Sequence, residues 1–145
     1  MQEEALLAAG WRQVDSDGLI ELVGPFWFRD DQPDFRMAFV AGAKHRNRRG
    51  VVQGGMLATL ADRAMGQAGR LANGDRPQAT IQLDLHYIDA VQLGDLVEAR
   101  CGVVRRTRSV IFIEADILAS ERLVAKAQGI WKVLGDAFGA DHPLI

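Results

Sequence analysis

The stretch from Gly54 to Ala72, GGMLATLADRAMGQAGRLA, constrains this chain more than any other, because it reads as one long helix that is apolar around most of its girth. Asn-Gly-Asp at 73–75 and Pro77 beyond it mark its end, since glycine suits the left-handed turn that closes a helix and proline cannot continue one. At 1.5 Å per residue such a helix is about 28 Å long. Leu57, Leu60, Ala61, Ala64, Met65 and Ala68 cover much of its surface, so it is expected to be buried and wrapped by other elements. Gly55, Thr59, Asp62, Gly66 and Gly69 fall together within an arc of about 80°. Glycine weakens a helix by about 1 kcal/mol relative to alanine, and such a stripe suits close approach by a backbone or a ligand. Asp62 is the acid of this run. It either pairs at the surface with Arg63 or Arg70, or belongs to a site on the stripe.

What surrounds the helix is read from the remaining periodicities. Four β-type stretches follow it, ATIQLDLHYIDA, DLVEARCGVV, SVIFIEADILAS and RLVAKAQGIWKVL, with LGD and ASER as turns. In the first, Ile81, Leu83, Leu85 and Tyr87 alternate with Thr80, Gln82, Asp84 and His86, the period of a half-buried strand. Ahead of the helix, EEALLAAGW predicts a short helix ending at Gly10, and Leu19–Arg29 and Phe35–Ala41 predict two strands around the turn-prone DDQPD. The tail from Gly135 to Ile145 has no period and is expected to be loose. With no repeat or linker, residues 1–145 read as one α+β domain, an antiparallel sheet on one long helix.

Composition excludes several classes of function. A chain of 145 residues with 48% hydrophobic and 25% charged residues can build one globular core, and its net charge of −2 gives no overall attraction to nucleic acid or an anionic membrane. The acidic start lacks the order of a signal peptide, and no apolar run approaches the roughly 20 residues of a membrane span. A cytoplasmic protein is the expectation. Cys101 lies in a strand-like stretch and reads as a buried thiol. There is no G-x-S-x-G, no P-loop and no metal-spaced His/Cys cluster, and His45, His86 and His142 stand far apart. No metal or separate cofactor is expected.

At the start of the helix the chemistry becomes specific. Gly54 and Gly55 leave their N–H groups unobstructed at the positive end of the helix dipole, which suits a carbonyl oxygen or an anion. The same pair also serves a plain loop-to-helix turn. Asn47 and Gln53 stand beside it, as hydrogen-bond donors to a ligand or as supports of the loop. Arg105, Arg106 and Arg108, in VVRRTRSV, suit phosphate oxygens through their planar forks of donors, or form an ordinary charged hairpin. The basic run KHRNRR at 44–49 carries the same two readings.

The motif H-x-N-x-x-G-x-x-Q-G-G from His45 to Gly55, Asp62 in the helix, T-x-x-L at Thr80–Leu83 and Y…A…LGD at Tyr87–Asp95 resemble the hotdog-fold acyl-CoA thioesterases, nearest the phenylacetate-degradation or PaaI-like branch. The resemblance runs from His45 to Leu134. It implies an antiparallel sheet wrapped around one central helix. It implies hydrolysis of acyl-CoA thioesters, aryl or medium-chain, with Gly54 N–H on the thioester carbonyl and Asp62 as base or nucleophile. Thr80 then positions the acid, Asn47 is the loop asparagine, and coenzyme A enters as substrate rather than cofactor. His45, Gly55 and Ser109 join the three arginines as expected substrate contacts, and Met65, Leu57 and Phe26 as candidates for the acyl pocket. One departure stands out: most of the branch has histidine before the Gly pair, and this chain has Gln53, which donates a hydrogen bond but cannot titrate near neutral pH.

Gly54 and Asp62 are eight residues apart on one helix, about 12 Å along its axis. One thioester carbon cannot touch both. If both serve one reaction, the acid comes from a second, antiparallel helix, and a symmetric dimer with two interface sites follows, which the small-residue stripe would accommodate. The resemblance implies the same dimer, often paired into a tetramer. Two other readings remain: a non-catalytic acyl-CoA-binding module, and a hotdog hydratase or dehydratase acting on enoyl thioesters, against which the missing histidine counts. Whether the thiol carrier is coenzyme A or an acyl carrier protein is open.

Overall fold

The long helix, α3, spans Gly54–Ala72 in the computed structural model, which describes residues 3–135. Its Leu60, Ala61, Ala64 and Met65 have no exposure at all, as the pattern of the sequence requires. They press on a seven-stranded antiparallel sheet in the order β1-β2-β3-β5-β6-β7-β4. The strands are β1 (Arg12–Gln13), β2 (Trp27–Arg29), β3 (Phe35–Val40), β4 (Gln78–Tyr87), β5 (Leu96–Arg106), β6 (Val110–Ala119) and β7 (Arg122–Val133). Strict alternation sets the inner face. Ile111, Ile113, Ala115 and Ile117 of β6, and Ala127, Gly129 and Trp131 of β7, are buried between more exposed neighbours. Phe35, Met37 and Phe39 of β3 and Val97, Ala99 and Cys101 of β5 extend the same core. Fully burying a large apolar side chain contributes roughly 1.5–3 kcal/mol. The Cys101 thiol lies inside this core, where burial pushes its pKa up.

The other sheet face carries a smaller core. Helix α1 (Glu3–Ala8) sets Leu6, and Trp11 just beyond it, against Trp27 and Ala38. It ends before Gly10, whose φ of +97° is the left-handed value that favours glycine.

Two expectations need correction. Leu19–Arg29 is not one strand: residues Gly18–Val23 form a short helix, α2, and only Trp27–Arg29 pair in the sheet. Ile20 and Val23, three apart, both pack on the core while Leu19 and Leu22 face outward, so helical spacing buries two side chains where strand spacing would not. The tertiary contact decides between readings that a six-residue apolar run leaves open. The second correction concerns β4. Leu83 and Leu85 pack on the core, but Ile81 and Tyr87 are 57% and 56% exposed. β4 is an edge strand that pairs with β7 alone, and its register shifts between Thr80 and Gln82, so alternation does not carry all four apolar residues inward. Beyond Gly135 the expected loose tail lies outside the described residues. No helix among the described residues is long and apolar enough to cross a membrane.

Trp131 lies flat on its own strand over Gly129. A Cβ at Gly129 would stand 2.5 Å from Trp131 Cη2 and 3.0 Å from Gln82 O, and neither a packed indole nor a paired backbone can retreat easily. Overpacking of this kind destabilises by roughly 1–3 kcal/mol. Gly129→Ala is expected to lower the denaturation midpoint accordingly while quenching or shifting tryptophan fluorescence.

Candidate active site

The loop before α3 is knit together by its own backbone. Asn47 Oδ1 accepts from Arg49 N–H at 2.9 Å and Val51 N–H at 3.4 Å, and Asn47 N–H donates to Val51 O at 2.7 Å. This is a self-bonded turn of the kind asparagine favours. Val52 N–H is held by Val91 O and Gln53 N–H by His45 O, each within 2.9 Å. The result presents the first turn of α3 at the surface, and the N–H groups of Gly54 and Gly55 meet no acceptor among the described residues. Gln53 is exposed at the N-cap position and makes no side-chain cap bond.

His45 serves this loop from within. It is 4% exposed, and its Nδ1 accepts from Gly42 N–H at 3.0 Å. Nε2 must therefore carry the proton, and it donates to Val23 O at 2.5 Å. Its ring edge meets Phe39 with centroids 4.8 Å apart. Both nitrogens are in use, so His45 is a strut between the loop and the end of α2, and it also lines the cleft beside Gly55. Burial lowers its pKa below the ordinary imidazole value.

The stripe on α3 divides into two parts. Thr80 Oγ1 donates to Asp62 Oδ1 at 2.7 Å, and both residues are exposed. Arg63 reaches Gln67 Oε1 at 3.5 Å and Arg70 pairs with Asp75. Gly66 and Gly69, by contrast, are explained inside this chain. Gln78 crosses the helix there, donating to Gly66 O at 2.8 Å, and a Cβ on Gly69 would stand 2.9 Å from Gln78 Nε2. The close approach expected from a partner or ligand is at these two positions made by β4. At Gly55 the space is open, with no heavy atom within 4 Å of where a Cβ would be.

Beside Gly55 lies a cleft of about 280 Å³ lined by Val23, Gln53, Met56 and Thr59 among others. Met65, Leu57 and Phe26, expected as acyl-pocket residues, do not line it; they are at most 3% exposed, in the main core. Apolar periodicity cannot separate a pocket wall from a core residue, and here the core took all three.

The arginines part company. Arg106 and Arg108 line a cavity of about 410 Å³ together with Arg76 and Asn73, at the C-terminal end of α3. Arg106 also donates to Ala72 O, the last carbonyl of the helix. Arg105 instead lines a cavity of about 560 Å³ with Val104, Phe112 and Glu114, among side chains turned away from α3. Ser109 is exposed at the hairpin end, where its carbonyl accepts from Val133 N–H at 2.8 Å. Arg76 was not legible as a site residue, since it stands alone in sequence. Tyr87 carried a motif but no role; its hydroxyl donates to Gly54 O at 2.9 Å. Among the described residues no group of three or more His, Cys, Asp or Glu side chains is placed to hold a metal ion.

Because His45 is neutral when folded and titrates near 6.5 when unfolded, the unfolded chain binds the extra proton between its folded pKa and that value. Its contribution is complete above about pH 6.5 and falls as pH drops through that window. Denaturation midpoints are expected to decline from pH 7.5 to 5.5, with a shallower decline in His45→Gln.

Comparison with known proteins agrees with this geometry. Residues 49–126 match the family model described as the thioesterase superfamily. A Pseudomonas aeruginosa protein, PA0474, which carries the name of an unconfirmed esterase, is 34% identical over 118 residues, covering 80% of this chain and 88% of that one. A point mutant of the phenylacetic acid degradation protein PaaI from Thermus thermophilus superimposes with a TM-score of 0.73 at 25% identity, over 81% of this chain and all of that one. A Bacillus halodurans protein, BH2602, solved with CoA, gives a TM-score of 0.63 at 27% identity, over 68% of this chain and 66% of that one. The chain belongs to the thioesterase superfamily, and its antiparallel sheet wrapped on one helix is the hotdog fold it shares with PaaI.

Proposed function

We propose that this protein hydrolyses acyl-CoA thioesters to a carboxylic acid and free CoA. The observation that carries this reading is the Thr80–Asp62 hydrogen bond of 2.7 Å, which orients an exposed carboxylate on the helix whose first N–H groups stand open. The amide of Gly54 polarises the thioester carbonyl. Thr80 occupies Oδ1 of Asp62 and leaves Oδ2 to act. As a base, Oδ2 takes a proton from water as its oxygen adds to the carbonyl carbon; the C–S bond then breaks and the thiolate leaves with that proton. As a nucleophile, Oδ2 itself attacks the carbonyl carbon and the C–S bond breaks to release the thiolate. Water then adds to the Asp62 carbonyl of the anhydride, freeing the carboxylic acid and giving up a proton that converts the thiolate to thiol. A single turnover in ¹⁸O-labelled water separates the two, because only the second route leaves label in Asp62.

The offset of about 12 Å between Gly54 and Asp62 requires a two-fold dimer with antiparallel α3 helices, each site using Gly54 of one subunit and Asp62 of the other. In that arrangement the C-terminal end of the partner's α3 lies about 15 Å beyond Gly54, ten residues past Asp62. The pocket of Arg76, Arg106 and Arg108 then falls on the same side as the basic run 44–49, at a distance a pantetheine arm can span. These arginines hold the phosphates of CoA, while the cleft at Val23, Met56 and Thr59 receives the acyl group.

With aryl- and medium-chain acyl-CoAs and a thiol-detecting reagent, Asp62→Asn is expected to lose at least about 100-fold in kcat with fold and dimer intact, in the range for a general base. Binding without turnover in the wild type would favour an acyl-CoA-binding module, and an active monomer by light scattering would overturn the shared site. Arg108→Ala is expected to raise KM about tenfold for acyl-CoA, the loss of one charged hydrogen bond. It should leave KM unchanged for the same acyl group on N-acetylcysteamine, which has no phosphate.

A further inference from the structure

Tyr87 ends β4 with two parts of its side chain against the first residue of α3. Its hydroxyl donates to Gly54 O at 2.9 Å, and a Cβ on Gly54 would stand 3.3 Å from its Cε1 and Cζ. The ring is nonetheless 56% exposed, so it is not held there as a core residue. Gly54 O belongs to the peptide whose other end is the Gly55 N–H. That N–H, like the Gly54 N–H, has no acceptor among the described residues. A donor on a carbonyl oxygen draws charge through the peptide and strengthens the N–H across it. It also fixes the tilt of the peptide plane. Polarisation by the backbone matters here, because Gln53, just before the Gly pair, brings no ionisable group.

We propose that Tyr87 is a positioning residue: through Gly54 O it orients and polarises the Gly54–Gly55 peptide, so that Gly55 N–H joins Gly54 N–H as a second donor to the thioester carbonyl oxygen. The inference rests on the hydrolase reading. It also gives glycine at position 54 a second cause, since a Cβ there would crowd the phenol at 3.3–3.4 Å. The open space over Gly55 is where the carbonyl oxygen approaches. Tyr87 acts through the peptide and does not touch the substrate.

Tyr87→Phe keeps the ring and removes the hydroxyl. An interaction made mainly in the transition state lowers kcat and spares KM, so kcat is expected to fall about tenfold with KM within twofold, less than the roughly 10²–10³ of losing a whole donor. In Asp62→Asn, which turns substrate over slowly enough for the bound state to be observed, the carbonyl stretch of a ¹³C-labelled acyl-CoA is expected to shift back toward its solution frequency when Tyr87→Phe is added. A Tyr87→Phe protein with a lower melting temperature but unchanged kcat and carbonyl frequency would overturn the proposal and leave Tyr87 as a tie between β4 and α3. If the wild type binds acyl-CoA without turnover, the hydrolase reading fails. The carbonyl frequency in wild type against Tyr87→Phe then decides this inference by itself, and an unchanged frequency overturns it.

Discussion

A helix that is apolar on nearly every side cannot stand in water, and the burial of α3 against the sheet is the constraint on which the rest of the structure depends. The inner residues of β3, β5, β6 and β7 cover most of it, but they leave one strip along its length. β4, the strand that follows α3, returns along that strip and ties to it at three points: Gln78 to Gly66 O, Thr80 to Asp62, and Tyr87 to Gly54 O. Gly69 on that strip is explained by what crosses it, since Gln78 passes where any side chain there would stand. The same three bonds orient the groups proposed to do the chemistry. Closing the core and aiming the carboxylate are one structural act.

Electrostatics divides α3 into functional ends. The N-terminal end leaves two N–H groups unmatched, and the positive end of the dipole faces solvent there. At the other end Arg106 caps the carbonyl of Ala72, the placement the dipole favours for a cation. Arg106 is thus tied to the fold itself. His45 shows a similar absorption. A histidine at the head of a functional motif is, in three dimensions, a neutral strut bonded at both nitrogens. It supports the loop that presents Gly54 and lines the cleft beside Gly55.

Periodicity was informative where it was long. The bounds of α3 and the existence of β6 and β7 were readable, because each is an element of ten or more residues. The pairing of Asp62 with Thr80 was accessible only through the resemblance, since eighteen residues separate them. Short or edge segments were not readable. α2 is too brief for its helical period to stand out from a strand, and β4 keeps an alternating sequence on an edge where Ile81 and Tyr87 stay more than half exposed. Arg76 joins Arg106 and Arg108 only because the turn after α3 folds back to the β5–β6 hairpin.

The sequence by itself determined the class of the fold, the central helix, the position of its open N-terminal glycines and the acid eight residues further on, because these follow from local periodicity and fixed helical rise. The tertiary structure alone decided which neighbours those residues meet. It assigned Gly66 and Gly69 to Gln78, Gly54 to Tyr87, Asp62 to Thr80 and His45 to the loop. Such contacts arise when β4 folds back along α3 and when a distant hairpin closes on its end, and no spacing within one element encodes where another element will lie.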